Sequence, residues 1–246
     1  MFNTILTGYK HEGRYNEAES MLRKMIALSN EGHNDCSPNA LTYSLCIGAL
    51  SKSKDEVRVI RAGLLLNETI QRYHAGDIKC KPSTDLFNTV ALVIANSDVP
   101  NRENEVLALF EKMESNGCTP SLVSFNILIK TCSKAEMNNA RNALQIAASA
   151  YNNLDAAGLT ADSVTYVSMV RAILNLMSGS VDKTDALTAL FRKCCDGGFL
   201  NQHIINILSQ ETSQAELQSI TGISPRGPDI LQIQDLPNEW SQNSSI

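Results

Sequence analysis

No apolar run in this 246-residue sequence approaches the ~18–20 residues that span a bilayer. The longest candidates, such as Leu86–Ala95, are short and interrupted by Asn88, so no membrane association is expected. An excess of positive charge is also missing. Lys and Arg total 21 against 26 Asp and Glu, a formal charge of −5, which argues against a broad basic surface for duplex DNA. A narrow basic groove stays open, because net charge does not say where charges sit. The seven cysteines form no CxxC and no ligand spacing, and Cys194-Cys195 are adjacent. They read as reduced, mostly buried small apolar residues in a reducing compartment. The four histidines, His11, His33, His74 and His203, are scattered. There is no glycine-rich phosphate loop and no nucleophile elbow. The sequence therefore predicts no catalytic site, no metal and no cofactor. No charged leader precedes an apolar segment at the N-terminus.

What is present is a globular balance, 43% hydrophobic and 19% charged, arranged as an array. An aromatic, a small polar residue and an apolar stretch recur: Phe2-Asn3-Thr4-Ile5-Leu6, Tyr43-Ser44-Leu45-Cys46-Ile47, Phe87-Asn88-Thr89-Val90 and Phe125-Asn126-Ile127-Leu128-Ile129. Weaker copies stand at Tyr166-Val167-Ser168-Met169-Val170 and Ile205-Asn206-Ile207-Leu208. The intervals run from 38 to 44 residues. Phe2, Tyr43, Phe87, Phe125 and Tyr166 share one slot, read as core rather than as a base-stacking platform. About 20 residues on, Met21-Leu22-Arg23-Lys24-Met25 matches Leu109-Phe110-Glu111-Lys112-Met113 and Leu190-Phe191-Arg192-Lys193-Cys194. Turns such as Glu12-Gly13-Arg14 and Ser178-Gly179-Ser180 join the two segments.

Each unit closes alike, on Pro38-Asn39, Pro82-Ser83, Pro120-Ser121, Ala161-Asp162 or Leu200-Asn201. Proline disfavours helix at the residue before it, and Asn, Ser and Asp are good N-caps. The prediction is an all-α, right-handed α-solenoid of stacked helix-turn-helix pairs, with units at 1–39, 40–83, 84–121, 122–162, 163–201 and a short 202–221. Ser213-Gln214-Ala215-Glu216 reads as a capping box opening the last helix. Residues 222–246, with Ser224-Pro225-Arg226-Gly227-Pro228 and Pro237-Asn238-Glu239-Trp240, read as an irregular tail, partly disordered or laid over the last repeat.

These residues resemble pentatricopeptide repeats. That motif runs roughly V-T-Y-N-T-L-I, then a K-x-G-R-type turn, E-A-L-x-L-F-x-x-M, and G-x-x-P-D. The first unit shows Phe2-Asn3-Thr4-Ile5-Leu6, Gly13-Arg14, Glu17-Ala18, Met25 and Pro38-Asn39. The fourth shows Val123-Ser124-Phe125-Asn126-Ile127-Leu128-Ile129 and Gly158-Leu159-Thr160-Ala161-Asp162. The units are longer than the family's, with the excess around Ala27–Ser37 and Tyr73–Lys81. Tetratricopeptide repeats fit less well, because their Trp and Leu-Gly landmarks are missing. Met1 enters a first helix without the start of its unit, so a C-terminal part of a longer organellar protein is expected.

The resemblance implies single-stranded RNA binding in a mitochondrion or plastid, one base per repeat. The first-helix slot and the last residue of the unit would read each base: Asn3 with Asn39, Ser44 with Ser83, Asn88 with Ser121, and Asn126 with Asp162. By the family's preferences the last pair implies uridine, and Asn3/Asn39 and Asn88/Ser121 imply pyrimidines. Val167 with Asn201 cannot hydrogen-bond through valine. Leu41, Val123 and Val164 fill the base-sandwiching slot, which holds Asp85 in the third unit.

Residue chemistry bears on the same positions. Asparagine inside a helix is about 0.5–0.7 kcal/mol worse than alanine, and a carboxamide carries both donor and acceptor for a base edge. The competing reading is a bond to a neighbouring helix or the backbone. The end-of-unit residues are equally explained by capping. Lys10, Lys52, Lys130, Lys134 and Arg171 follow the slot by four, seven or eight positions, on one helical face, where they would contact phosphates. Acidic residues such as Glu17, Glu19, Glu111 and Glu114 crowd the second helices, and Glu103/Glu105 read as solvated helix starts. A second reading is a protein-binding helical scaffold whose groove takes a peptide or partner subunit. An accessory subunit of an RNA-processing enzyme is a third.

Overall fold

The computed structural model describes residues 2–53, 57–223 and 231–244. Among them are twelve α-helices, several short 3-10 turns and no strand. The helices pair as hairpins: α1 (Phe2–Glu12) with α2 (Tyr15–Asn30), α3 (Ala40–Leu50) with α4 (Arg58–His74), and α5 (Thr84–Ala95) with α6 (Arg102–Ser115). They continue as α7 (Leu122–Cys132) and α8 (Ala140–Ala156), α9 (Ser163–Leu176) and α10 (Lys183–Asp196), and α11 (Gln202–Glu211) and α12 (Gln214–Thr221). The all-α architecture of successive helical hairpins is as the periodicity predicts. The chain divides into two compact units, residues 1–127 and 128–246, and the division falls within α7.

In the first unit, α3 packs against α1, α2, α4 and α5. A helix with so many neighbours keeps little wet surface, and Ala40-Leu41-Thr42-Tyr43-Ser44-Leu45-Cys46-Ile47-Gly48-Ala49-Leu50 is apolar almost all round. Tyr43 and Phe87 are fully buried beside Leu6, Leu22, Ile47, Leu66 and Leu86, each worth roughly 1.5–3 kcal/mol in transfer. The second helices are amphipathic and turn their charges outward. Arg23 pairs with Glu68 at 2.8 Å and Arg61 with Glu19 at 3.1 Å, joining α2 to α4. In the second unit α9 packs against α8, α10 and α11, and α10 against α12. Leu154, Ile204 and Leu208 lie at its centre.

Helix starts follow the caps. Asn39, Asp162 and Ser213 form capping boxes, and Ser83 and Asn201 accept the amides of Leu86 and Ile204. Second helices leave through glycines in the left-handed region, Gly32, Gly76, Gly117, Gly158 and Gly198, where a Cβ would be strained. The extra length appears as 3-10 turns at Asn34–Cys36 and Ile78–Cys80 and as the 17-residue α4 and α8.

One expectation changes. Glu103 is not a solvated helix start: it is 2% exposed in the first turn of α6, while Glu105 stays exposed. Its position faces Val106 and Leu109 on the packed side of the helix, whereas Glu105 points away. Residues 231–244 form short 3-10 turns at Ile233–Asp235 and Asn238–Trp240, with Leu231 and Leu236 buried. The Ser224–Pro228 stretch lies outside the described residues.

Candidate nucleic-acid interface

The slot residues sit near the start of each first helix, beside the cap of the next. Thr42 is the third helical residue after the Asn39 cap. Its hydroxyl lies 3.0 Å from both Asn39 Oδ1 and Asn3 Oδ1 and shares one proton between them. The same arrangement recurs one hairpin pair later. The Ser124 hydroxyl donates to Asn88 Oδ1 at 2.7 Å, and Asn88 Nδ2 donates to Ser121 Oγ at 3.5 Å. The Asn3 and Asn88 carboxamides thus reach the first turn of the next repeat's first helix. Asn88 and Ser121 meet directly, whereas Asn3 and Asn39 meet only through the Thr42 hydroxyl.

The cost to that reading is also visible. Asn3 is half-buried, but Asn88 is 5% exposed and Asn126 9%. The carbonyl acceptors of Asn3 and Asn88 are committed to the neighbouring helix, which is the structural alternative weighed for them. A base meeting Asn3 or Asn88 would share the carboxamide with the neighbouring helix. Ser44 bonds Thr89 Oγ1 at 3.1 Å, and Ser83 is exposed and caps α5. The Asp162 carboxylate accepts the Thr165 amide at 2.8 Å and its hydroxyl at 2.9 Å.

The aliphatic slot behaves differently. Leu41, Val123 and Val164 are 56%, 57% and 51% exposed, although each stands in the first turn of a helix whose other residues are largely buried. Each lies two residues past a cap, at one phase of the repeat. Asp85 holds that place in α5 and His203 in α11, both exposed.

The cations are unequal. Lys130, Lys134 and Arg171 are exposed, and an Arg171 N–H approaches His203 Nε2 at 3.3 Å. Lys10 is half-buried, because its methylene stem crosses α3 at Gly48, where a methyl group would sit 2.8 Å from Lys10 Cε. Lys52 is exposed too, and its ammonium donates to the His11 carbonyl at 2.7 Å, at the end of α1. The exposed C-terminal carbonyls of a helix attract a cation.

Sequence reasoning missed the hydroxyl three residues past the cap. Thr42, Ser124 and Thr165 were legible as one recurring polar position on otherwise apolar helices. It also missed a thiol two residues before each of Pro38, Pro82 and Pro120. The Cys80 thiol donates to the Pro38 carbonyl at 3.8 Å, and Cys118 to the Pro82 carbonyl at 3.4 Å. Burial pushes the Cys80 thiol up to about 11 and raises Cys118 too. These are packing thiols, not nucleophiles. Among the described residues no group of three His, Cys, Asp or Glu could hold a metal, and no helix is long and apolar enough to cross a membrane.

Within each unit the chain folds as successive helical hairpins, and a polar slot recurs in most of their first helices. Residues 91–135 match the family described as pentatricopeptide repeat domain, and residues 1–29 match that described as PPR repeat. The chain is 25% identical over 150 residues, 53% of its length, to a putative pentatricopeptide repeat-containing protein of Arabidopsis thaliana, and that match spans 20% of the relative. Two stretches of the chain, residues 1–29 and 91–135, are thus similar to pentatricopeptide repeats.

Proposed function

We propose that the chain binds single-stranded RNA along its first helices, without catalysis, and serves RNA processing, stability or translation in a mitochondrion or plastid. The exposure of Leu41, Val123 and Val164 at one phase of the repeat carries this reading. An aliphatic side chain left more than half in water is stabilised by any flat apolar surface that covers it, at ~25 cal/mol per Å². A nucleobase has such faces, and the adjacent carboxamides and hydroxyls suit its edge. Lys130, Lys134 and Arg171 supply charge for the phosphates. The Asn3 carboxamide accepts from Thr42, and its Nδ2 donor suits any base edge that offers an acceptor.

The test is fluorescence anisotropy with short single-stranded RNA pools across a salt series, with duplex DNA as control. Pyrimidine-rich RNA should bind, and affinity should fall with salt. Exchanging Asn126 and Asp162 together should change uridine preference at one position. Absence of binding to every pool at low salt would refute the proposal. Ile60 and Leu64, one turn apart on α4 and 65% and 61% exposed, favour a second reading in which the second-helix side meets a protein.

A further inference from the structure

Within the first unit, successive inter-repeat loops bond to one another. Besides the Cys80 thiol on Pro38, the Lys79 ammonium donates to the Asn34 carbonyl at 3.0 Å, and the Thr84 hydroxyl to the Thr119 carbonyl at 2.9 Å. A loop of this repeat therefore presents backbone groups that expect a partner. In the second unit the loop between α10 and α11 meets such a partner, but not from a hairpin. The Leu200 amide donates to the Trp240 carbonyl at 2.8 Å. The Asn243 amide donates to the Gly198 carbonyl at 2.8 Å, and Asn243 Nδ2 to the Gly197 carbonyl at 2.9 Å.

The start of α11 is treated likewise. The Gln202 carboxamide grips the backbone of the tail in both directions, donating to the Leu231 carbonyl at 3.2 Å and accepting from the Ile233 amide at 2.8 Å. It also donates to Asn206 Oδ1 at 2.8 Å. Asn206 stands at the slot phase of α11, and this bond lies within the helix. Trp240 packs edge to face on Phe191 of α10, with ring centroids 5.9 Å apart. Leu231 and Leu236 are buried, whereas Gln232, Gln234, Asn238, Glu239, Gln242 and Asn243 are exposed. An apolar inner side and a polar outer side are what the end of a solenoid needs.

Gly198 records the close fit. It shares the left-handed backbone of Gly158, at φ +72° against +68°. A methyl group at Gly158 would meet nothing within 4 Å, but at Gly198 it would lie 2.8 Å from Gln242 Cγ and 3.1 Å from the Glu239 carbonyl oxygen.

We propose that Phe191, the Gly197–Leu200 loop and Gln202 form a repeat-stacking surface, and that residues 231–244 occupy it in cis as an end cap in place of a further hairpin. The proposal is independent of RNA binding. It is tested in the full chain, where Trp240 is the sole tryptophan and its emission reports docking directly. Gln202→Ala cuts both backbone bonds to the tail and leaves the Asn201 cap intact. It should shift Trp240 emission to the red and speed amide exchange over residues 197–205 by about tenfold, with α5 unchanged. Gly158→Ala and Gly198→Ala impose similar backbone strain, so a larger fall in Tm for Gly198→Ala measures the tail contact. That excess should vanish when both changes are made in a chain shortened to residue 230. Unchanged emission and exchange in Gln202→Ala, or equal Tm losses for the two glycine variants in the full chain, would overturn the proposal.

Discussion

The hydroxyl of Ser124 donates to Asn88 Oδ1 at 2.7 Å, and both residues are buried, at 1% and 5% exposure. One bond thereby ties the middle of α5 to the first turn of α7 while shaping the pair that would read a base. Ser124→Ala strands a buried carbonyl acceptor, which costs about 1–3 kcal/mol. Urea denaturation should show that loss. A paired Asn88→Ala change should cost less than the two single changes added together, because they share the interaction. Additive losses would show that the two residues act separately.

Val123→Asp separates recognition from folding. The side chain is 57% exposed, and a carboxylate in the first turn of a helix is tolerated, so Tm should move by about 0.5 kcal/mol equivalent or less. RNA affinity should fall on the order of tenfold, from lost apolar contact and from charge facing phosphate. Unchanged affinity would remove Val123 from the interface.

Salt dependence addresses the cations. Each phosphate contact to a single strand contributes about 0.7 to the slope of log affinity against log salt. Lys130→Ala and Arg171→Ala should each flatten the slope by about that amount. Lys52→Ala should leave the slope near its original value and instead loosen the end of α1, read by amide exchange at His11 and Glu12.

The thiols give a pH prediction. Cys46 and Cys195 are pushed by burial from the ordinary 9.0 to about 12, and Cys80 to about 11. A raised folded value means that the native state holds its protons more tightly than the unfolded chain. The associated stability is complete below about pH 9 and is lost as pH climbs towards 11–12. At pH 8 a thiol reagent should label Cys36, the half-exposed cysteine, well ahead of the six buried ones. Rapid labelling of all seven would contradict the burial.

Much of the fold was legible in the chain. The aromatic slot, the Pro-Asn and Pro-Ser boundaries and the Ser213–Glu216 box each act through local backbone preference or through burial of one helical face, and these leave a period in the sequence. Glu103 defeated such reading, because a glutamate in a first turn looks solvated until the packing of α6 is known. The bond of Lys52 to the His11 carbonyl was likewise illegible, because the two are 41 positions apart in the chain.

Repetition, helix boundaries and an all-α hairpin array follow from residue order, since they depend on contacts within one hairpin or its immediate cap. How far a carboxamide is spoken for by its neighbour, and what seals the α10–α11 loop, depend on stacking. Asn88 and Ser124 are 36 residues apart, and Gly197 and Asn243 46. Ångström-scale approach between such distant groups is set by how hairpin lies on hairpin, and periodicity in the chain carries no record of that distance.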